Sequence, residues 1–473
     1  MITPRTTAAL LILLTSTALP GTTRCESSAP PNFIVIFCDN LGYGDIEPFG
    51  STVHRTPHLN RMAEEGRKFT HFCVTAGVCT PSRASLLTGC YAQRVQMHTN
   101  PRDGQVLRPL SPYGLNSDEI TIAEVLQERG YATGIFGKWH LGDQPEFLPE
   151  QFGFDSYFGI PFSNDMLSDH PKQEEYQFPP LPLLRGDRVI ETDPNQASLT
   201  ENYLTECLNF IRENKDGPFF LYFAHMYVHV PIYAPLTYLA RSQNGAYGAA
   251  VEHIDHTTGV ILDTLSQLGI DDNTMVIFTS DNGSNGRQGG SNGRLRGAKG
   301  STWEGGMREP CIVRWPGQIQ PGTVCEELST TMDFLPTFAN FARADTPTDR
   351  NLDGHDIGNL LLVEDDAKSA YDAFYYYRRN HLNAVRRGPW KLHFDEDHLY
   401  NLDDDIGETQ DHFDDQPKIV KELTDLADSC RDDLGDERSG VKGKNCRPVG
   451  RIDNPRALTD MDWTHPYMVA AYD

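Results

Sequence analysis

Apolar stretches of strand length alternate with amphipathic stretches of helical length over most of the chain. The strand-like stretches are apolar at nearly every position, which is typical of strands that are covered by helices on both faces of a parallel sheet. The helical stretches repeat apolar residues every three or four positions. The pattern predicts an α/β fold with a large, mainly parallel sheet between two layers of helices. The predicted strands are NFIVIFC, YATGIFG, PFFLYFAH and TMVIFTS, and the predicted helices are PHLNRMAEEG, TIAEVLQERG, TENYLTECLNFIRENK and AAVEHIDHTTGVILDTLSQLG.

The pattern changes near residue 367. Three short segments, AFYYYRR, AVRRG and PWKLHF, predict antiparallel strands, and KIVKELTDLADSCRDDL predicts a helix after them. We therefore predict a large sheet domain over residues 25–366 and a smaller C-terminal subdomain over residues 367–473. In sheets of the first kind, ligands bind at the carboxyl ends of the strands.

The first 24 residues have the pattern of a secretory signal peptide. Arg5 supplies the positive charge, residues 8–18 form the apolar run, and small residues near Pro20 form a cleavage zone. The apolar run is too short to span a membrane, and no other stretch approaches about 18 consecutive apolar residues. We predict an exported protein, periplasmic or secreted, with no membrane span.

The formal net charge of -25 narrows the range of partners. Nucleic acid is not expected as a partner, because the chain has no basic excess to displace phosphate counterions. A bound anion would need a local cluster of donors that overrides the field of the whole molecule.

Ten cysteines are too few for a disulfide-held scaffold, but an exported chain permits disulfides, and we predict that Cys430 and Cys446 form a pair.

Two of the predicted strands end alike. In FIVIFCDNLG the apolar run is followed by Asp39 and Asn40. In MVIFTSDNGS it is followed by Asp281 and Asn282. Turn chemistry explains either segment alone. If both strands lie in one parallel sheet, however, the four side chains converge at its ligand edge. Two carboxylates and two amide carbonyls are hard oxygen donors that fit calcium best and magnesium second.

A cysteine stands at the start of a predicted helix in CTPSRASLLTG. Pro81 suits the first helical turn, and Gly89 suits the C-terminal stop. The helix amides would face Cys79 as an anion site, and Arg83 could add a charged fork. Three interpretations compete: a structural thiol, a thiolate nucleophile, or a cysteine that is chemically modified. Cysteine-dependent phosphatases place their arginine further along, where this chain has Ser85, and a structural thiol would not require Pro81 and Arg83 at these spacings.

CTPSRASLLTG resembles the signature of the formylglycine-dependent sulfatases, in which the cysteine is oxidised to a formylglycine (3-oxoalanine) aldehyde. Other segments resemble further motifs of that family, in the family's order: PNFIVIFCDNLGYGD, GYATGIFGKWHLG, AHMYVHVP, FTSDNG, LRGAKGSTWEGGMREP and LYNLDDDIGE. The resemblance covers about residues 31–410 and is nearest to the arylsulfatase branch. It implies an alkaline-phosphatase-like fold, with a large sheet domain and a small C-terminal antiparallel sheet domain, and a sulfuric ester hydrolase activity.

The resemblance also implies a metal site and a covalent mechanism. One calcium ion would be held by Asp39, Asn40, Asp281, Asn282 and the modified Cys79. One hydroxyl of the hydrated aldehyde would attack the sulfur of a sulfate ester, and the second hydroxyl, deprotonated by a base, would expel sulfate. Most relatives have Asp-Asp where this chain has Asp39 and Asn40, so the site keeps an oxygen donor and loses a charge.

The remaining matched positions would carry charge or move protons. Lys138, Lys299 and Arg83 would offset the charge that develops on the sulfuryl oxygens. His140 would be the base of the elimination step. His229 or Lys299 would protonate the leaving alcohol, and we favour His229.

Arg94 and His98 follow the signature helix in YAQRVQMH. They could face the substrate, and a surface role is the alternative. Neither expectation rests on a family motif.

Two other functions compete with the sulfatase interpretation. One is a phosphate or phosphonate monoester hydrolase of the same superfamily, and the other is a non-catalytic binder of sulfated glycans with an unmodified Cys79. The complete signature favours the sulfatase. Its expected partners are a small-molecule or oligosaccharide sulfate ester, with a sulfated carbohydrate favoured, and a formylglycine-generating maturation enzyme.

Overall fold

The protein is described here from a computed structural model that covers residues 29–364 and 366–461. The expected signal peptide over residues 1–24 lies outside the described residues. The strands are β1 (Asn32–Cys38), β2 (Arg67–Phe69), β3 (Phe72–Cys73), β4 (Tyr113–Gly114), β5 (Ala132–Lys138), β6 (Ser156–Ile160), β7 (Pro182–Arg185), β8 (Arg188–Thr192), β9 (Phe219–Ala224), β10 (Thr274–Ser280), β11 (Cys311–Arg314), β12 (Thr323–Cys325), β13 (Ser329–Thr330), β14 (Phe374–Arg378), β15 (His381–Arg387), β16 (Trp390–His393), β17 (His398–Asn401) and β18 (Gly450–Arg451).

The helices alternate with the strands of the large domain, as the sequence predicts. They are α1 (Pro57–Glu65), α2 (Cys79–Thr88), α3 (Ile122–Gln127), α4 (Gln173–Tyr176), α5 (Gln196–Asn214), α6 (Leu236–Leu239), α7 (Gly245–Leu268), α8 (Glu304–Met307), α9 (Phe334–Ala342), α10 (Gly358–Leu361) and α11 (Pro417–Leu434). Within residues 29–364 and 366–461, no helix combines the length and apolar character that a membrane crossing requires.

The α/β prediction is confirmed by a ten-stranded sheet in the order β12-β2-β11-β10-β1-β9-β5-β6-β7-β8. Its centre is parallel, because β1 pairs with β10 and β9, and β5 pairs with β9 and β6, all in the same direction. The neighbours β11 and β7 run antiparallel to this centre. The carboxyl ends of β10, β1, β9 and β5 therefore meet at one edge of the sheet.

The apolar character of the central strands reflects burial on both faces. Alternate residues of β1 contribute to two different cores, Phe33, Val35 and Phe37 to one and Ile34, Ile36 and Cys38 to the other. Residues of α2, α3 and α9 complete the first core, and residues of α1, α5 and α7 complete the second. This two-sided packing is the reason that the strands show no alternation of apolar and polar residues.

The C-terminal part forms a separate four-stranded sheet, β14-β15-β16-β17, in which every pair is antiparallel. Helix α11 contacts β15 and β16, so the strands and the helix predicted here are confirmed. The chain then returns to the large domain, where β18 pairs with β4. The domain boundary at residue 366 stays a prediction.

The predicted disulfide between Cys430 and Cys446 is wrong. The sulfur of Cys430 lies 3.3 Å from the hydroxyl of Tyr377, in the core beneath α11. The sulfur of Cys446 lies 3.4 Å from the carbonyl oxygen of Leu434, at the end of α11. The two thiols have different neighbours, and both cysteines are unpaired.

Candidate active site

Parallel strands that end side by side supply most of the predicted site residues. The last residue of β1 pairs with the last residue of β10, so Asp39 and Asp281 begin adjacent turns. The backbone N–H of Asn40 donates to Oδ1 of Asp281 at 3.1 Å, which joins the two turns. β5 ends at Lys138, and His229 lies in the segment that follows β9. The structure therefore brings these residues together at the edge where the sequence places them.

Helix α2 presents Cys79 at its first turn. Val78 precedes it in extended conformation, and the helix ends at Gly89 in the left-handed conformation with φ 65°. The N–H of Gly89 donates to the carbonyl oxygen of Ser85, as expected for a C-terminal glycine cap. The helix limits follow the positions of Pro81 and Gly89 in the sequence. The Cys79 side chain is buried and lies 3.5 Å from Oδ1 of Asp39.

Arg83 connects α2 to three strand ends. Its Nη2 lies 3.1 Å from a carboxylate oxygen of Asp39 and 3.1 Å from one of Asp281. Its Nη1 donates to the carbonyl oxygen of Lys138 at 2.9 Å. The guanidinium is completely buried, so its charge stabilises the two carboxylates. The expectation that Arg83 offsets charge on the sulfuryl oxygens stays a prediction.

The donor atoms at this edge fit a hard cation. Nδ2 of Asn282 donates to Oδ1 of Asn40 at 2.8 Å, and Oδ1 of Asn282 is buried without a hydrogen-bond partner. Donor atoms of Asp39, Cys79 and His229 also lie within 4.8 Å of one another. A buried carbonyl oxygen without a partner is costly unless a cation or water satisfies it. The oxygen donors therefore fit calcium, which prefers carboxylate and carbonyl ligands.

Two lysines contact the pair formed by Asp39 and Cys79, one at each residue. Nζ of Lys138 lies 2.6 Å from Oδ2 of Asp39 and donates to Oγ of Ser163 at 3.2 Å. Nζ of Lys299 lies 3.7 Å from the sulfur of Cys79. Both ammonium groups therefore lie beside Asp39 and Cys79, at the carboxyl edge of the sheet.

The two histidines are each fixed through one ring nitrogen. Nε2 of His140 lies 2.9 Å from the carbonyl oxygen of Leu107, and its Nδ1 is buried without a partner. The hydroxyl of Thr80, the residue after Cys79, donates to the carbonyl oxygen of His140 at 3.1 Å. Nδ1 of His229 lies 2.6 Å from the carbonyl oxygen of Val230. One nitrogen of each ring is thereby left for proton transfer.

Burial and neighbouring charges shift the pKa values of the acidic, thiol and imidazole groups of this site in different directions. Burial alone would raise the pKa of Asp39, but Lys138 and the neighbouring cations outweigh it and hold that pKa well below its usual range. Burial, together with the charge of Asp39, raises the pKa of Asp281 to about 6. Burial and the two carboxylates raise the pKa of Cys79 to about 12. Burial and Lys138 lower the pKa of His140 well below its usual range. Both shifts favour the uncharged forms of the Cys79 thiol and the His140 imidazole at neutral pH.

Comparison with known proteins decides the family. Residues 31–344 match the family described as Sulfatase, and residues 298–432 match the description N-sulphoglucosamine sulphohydrolase, C-terminal. Arylsulfatase A of Homo sapiens is 39% identical over 391 residues, which cover 77% of this chain and 75% of that protein. The chain belongs to the sulfatase family. It is therefore an enzyme that hydrolyses sulfate esters.

Two further relatives of this sulfatase are named for, or crystallised with, a carbohydrate. It is 38% identical over 400 residues to N-acetylgalactosamine-6-sulfatase of Sus scrofa, with 81% of this sulfatase and 75% of that protein covered. It superposes on the crystal structure of Ps i-CgsB in complex with k-i-k-neocarrahexaose with a TM-score of 0.75 and 29% identity. That superposition covers 85% of this sulfatase and 92% of the other chain.

Both alternatives for Arg94, a contact with substrate and a surface position, are wrong, because its side chain is buried and held by two carboxylates. Nη2 of Arg94 lies 2.6 Å from a carboxylate oxygen of Asp353 and 2.6 Å from one of Asp433. Arg94 therefore joins the large domain of the sulfatase to α11. His98 contacts its own segment, with Nδ1 3.3 Å from the carbonyl oxygen of Ala92.

Sequence reasoning missed Ser163 of the sulfatase. Its hydroxyl lies 3.2 Å from Nζ of Lys138 and 3.4 Å from Nδ1 of His229, between two of the matched residues. Ser163 follows β6, which is parallel to β5 and ends at the same edge. The apolar run in DSYFGI was the available signal, since a further parallel strand would have directed attention to the polar residue after it.

The C-terminal subdomain holds the loop that carries Lys299. The backbone N–H of Glu304 donates to the Glu408 carboxylate at 2.8 Å, and Arg296 donates to the Glu408 carbonyl oxygen at 2.9 Å. Nζ of Lys391, completely buried, lies 2.8 Å from the Glu304 carboxylate and 2.9 Å from that of Glu408. Both ends of the catalytic loop, residues 296–304, are thereby attached to strands and turns of the small sheet.

Proposed function

We propose that this sulfatase removes a sulfate monoester from a sulfated carbohydrate, with a formylglycine made from Cys79 and one bound calcium ion. The position of Cys79 carries the proposal, because an uncharged buried thiol between Asp39 and the ammonium of Lys299 is a poor nucleophile until it is modified. The carbohydrate class is supported by relatives named for an amino sugar sulfate and crystallised with a neocarrahexaose.

The calcium ion would be held by Asp39, Asn40, Asp281, Asn282 and residue 79. When bound, it would offset negative charge on the sulfuryl oxygens. Arg83 and Lys138 lie 2.6 to 3.1 Å from the carboxylates of Asp39 and Asp281 and would hold these ligands in place. A rigid site of this kind needs no reorganisation when the ester arrives.

The side chains around residue 79 have distinct tasks. A hydrated formylglycine would supply one hydroxyl as the nucleophile and a second whose deprotonation releases sulfate. His140, neutral and with Nδ1 unpartnered, would accept that proton. His229 or Lys299 would donate a proton to the leaving alcohol, and Lys138 and Lys299 would stabilise the charge on the transferred group.

Export and maturation belong to the same proposal. The chain would be exported to a periplasmic or secreted location after removal of residues 1–24. A formylglycine-generating enzyme would oxidise Cys79 before the fold closes over it, because the side chain is 2% exposed in the folded protein.

The test compares turnover of aryl sulfate, aryl phosphate and a panel of defined sulfated oligosaccharides, together with mass spectrometry of the peptide that contains Cys79. We expect sulfate release from oligosaccharides and a formylglycine at position 79. A preference for aryl phosphate would indicate the phosphate or phosphonate hydrolase alternative. An unmodified thiol in active protein from a host with the maturation enzyme would exclude the formylglycine mechanism.

His140→Ala should slow the release of sulfate more than the release of the alcohol. The reason is that the base acts after the ester bond has broken, and a general base contributes about a hundredfold or more. Rapid-quench measurement should therefore show a burst of alcohol, close to one per active site, followed by slow turnover. Linear release at a uniformly lower rate would instead assign His140 to binding or to the first step.

Asn40→Asp should bind calcium more tightly in the absence of substrate. Calcium affinity rises with the number of charged oxygen ligands, and this change restores a carboxylate beside the unpartnered oxygen of Asn282. We expect Kd to fall at least about tenfold, measured by calorimetry on chelator-stripped enzyme. Substrate affinity should not improve in parallel, because the added charge repels the sulfate group. Unchanged or weaker calcium binding would remove Asn40 from the set of ligands.

A further inference from the structure

A carboxylate outside the matched motifs lies beside His229. Asp165 comes shortly after β6 in the chain, and its Oδ1 lies 3.9 Å from Nδ1 of His229. Within residues 29–364 and 366–461, this buried oxygen has no hydrogen-bond partner. A buried carboxylate oxygen without a partner is costly. A positive charge on the imidazole would therefore stabilise Asp165, and the carboxylate would stabilise that charge in return.

The segment that carries Asp165 is fastened to the segment that carries His229. Nδ2 of Asn164 donates to the carbonyl oxygen of Pro231 at 3.2 Å and to Oε1 of Gln196 at 2.9 Å. Nε2 of Gln196, the first residue of α5, donates back to the carbonyl oxygen of Asn164 at 3.1 Å. Asn164 and Gln196 are both buried. These hydrogen bonds fix the spacing between the carboxylate and the imidazole.

Oxygen atoms surround one nitrogen of the His229 ring. Nδ1 lies 2.6 Å from the carbonyl oxygen of Val230 and 3.4 Å from the hydroxyl of Ser163, in addition to its contact with Asp165. A carbonyl oxygen only accepts hydrogen bonds, so Nδ1 carries a hydrogen, and Nε2 of the neutral ring is then an acceptor. His229 can therefore donate a proton from Nε2 only as an imidazolium.

The charges around His229 decide whether that imidazolium forms. Burial and the Lys299 ammonium lower the pKa of His229 to about 4, and Lys138 acts in the same direction. The carboxylates of Asp39 and Asp165 oppose this shift. The Asp39 carboxylate lies 2.6 Å from Nζ of Lys138, which offsets its charge. Asp165 is thus the carboxylate that remains to balance the imidazolium, together with the negative charge that a bound sulfate ester adds.

We propose that Asp165 is a positioning residue that holds His229 as an imidazolium in the complex with substrate, so that His229 and not Lys299 protonates the leaving alcohol. When the bond between sulfur and the ester oxygen breaks, its electron pair stays on that oxygen, and the proton on Nε2 moves to it. The ring becomes a neutral imidazole and regains a proton from water after the alcohol has left. This inference rests on the proposed sulfatase mechanism and assigns its acid.

The test compares kcat/KM of the mature enzyme for nitrophenyl sulfate and for unsubstituted phenyl sulfate. Nitrophenolate leaves readily without a proton, whereas the more basic phenolate gains more from an acid. Asp165→Asn keeps the size of the side chain and removes its charge. In this variant, the ratio of kcat/KM for phenyl sulfate to that for nitrophenyl sulfate should fall about tenfold.

Further variants test whether Asp165 acts through His229. In His229→Ala the same ratio should fall about a hundredfold, and adding Asp165→Asn to it should lower the ratio no further, because both changes remove one proton transfer. Asp165→Glu keeps the charge and should restore a ratio near that of the wild type. Lys299→Ala should lower kcat/KM for both substrates to a similar extent.

Asp169→Asn is the matched control, because Asp169 is an exposed carboxylate four residues further along the same segment. It should leave both rates unchanged. Equal losses on both aryl sulfates in Asp165→Asn, or a further fall in the ratio when this change is added to His229→Ala, would overturn the proposed role. A selective loss on phenyl sulfate in Lys299→Ala, with a uniform loss in His229→Ala, would make the lysine the acid and overturn it as well.

The two aryl sulfates also separate this inference from the carbohydrate proposal, since they contain no sugar. A wild-type enzyme that hydrolyses aryl sulfates but no sulfated oligosaccharide contradicts the carbohydrate class, and the fall in the ratio in Asp165→Asn still supports the role of Asp165. A loss in Asp165→Asn that is confined to sulfated sugars would instead assign Asp165 to a substrate hydroxyl and overturn its role toward His229.

Discussion

Replacing Cys79 by alanine is expected to reduce turnover to less than about a thousandth of the wild-type rate, a loss of at least about 4 kcal/mol of barrier lowering. The alanine has no group that can form the covalent bond, whereas the cations and carboxylates around it remain. Stability should change little, because one sulfur atom is removed from a polar site. The measurement is steady-state sulfate release, with thermal melting to verify the fold.

The Cys79→Ser variant tests whether the second hydroxyl of the hydrated aldehyde is needed for sulfate release. A serine offers one hydroxyl and not two, so we expect it to accept sulfate once and to keep it. Mass spectrometry after incubation with substrate should detect a peptide with a sulfated serine at position 79. Retention of more than about a thousandth of activity in the alanine variant would show that residue 79 is not the nucleophile. Normal turnover in the serine variant would show that the second hydroxyl of a formylglycine is not needed.

Replacing Asp39 by asparagine is expected to impair both activity and stability. Its carboxylate lies 2.6 Å from Nζ of Lys138 and 3.1 Å from Nη2 of Arg83, and all three side chains are completely buried. The substitution removes the anion and leaves both cations buried, which costs about 3 kcal/mol or more of folding free energy. It also removes a charged metal ligand, so we expect turnover to fall at least about a hundredfold. Chemical denaturation and sulfate release measure the two effects.

Asp263→Asn is the matched control for that change. Asp263 makes a surface ion pair with Arg61 at 2.8 Å, and such pairs contribute about 0 to 1 kcal/mol. The control should unfold at nearly the wild-type denaturant concentration and retain activity. If Asp39→Asn behaves like this control, the buried charge cluster does not stabilise the fold.

The elements that the sequence predicted are those with a strong local signal. Strands β1, β5, β9 and β10 are continuous apolar runs buried on both faces, and helix α2 carries a proline in its first turn and a glycine at its end. Because parallel strands share one ligand edge, their polar C-terminal neighbours could be assigned to one site. The short strands β2 and β12 at one side of the sheet were missed, since they have only three residues each and carry too little pattern.

The wrong predictions concern contacts that are set by tertiary packing. Arg94 pairs with carboxylates 259 and 339 residues away, and no local pattern identifies such a contact. Cys430 and Cys446 are close along the chain, yet the direction of each thiol is set by the packing of α11 against the small sheet. Tertiary contacts, not local spacing, decide these cases.

The attachment of the catalytic loop to Glu408 and Lys391 has a consequence for the order in which the enzyme becomes competent. During synthesis the chain emerges from its N-terminus, and domains fold as their residues become available. Lys299 is made well before Lys391 and Glu408. Until these two residues arrive, its loop lacks the Lys391 ammonium that pairs with the buried Glu304 carboxylate and the Glu408 carboxylate that accepts from the Glu304 backbone. Residues in the last fifth of the polypeptide thus fix a loop that contacts Cys79, a residue near the start of the chain. We expect Lys299 to take its place 3.7 Å from the Cys79 sulfur only after this attachment has formed.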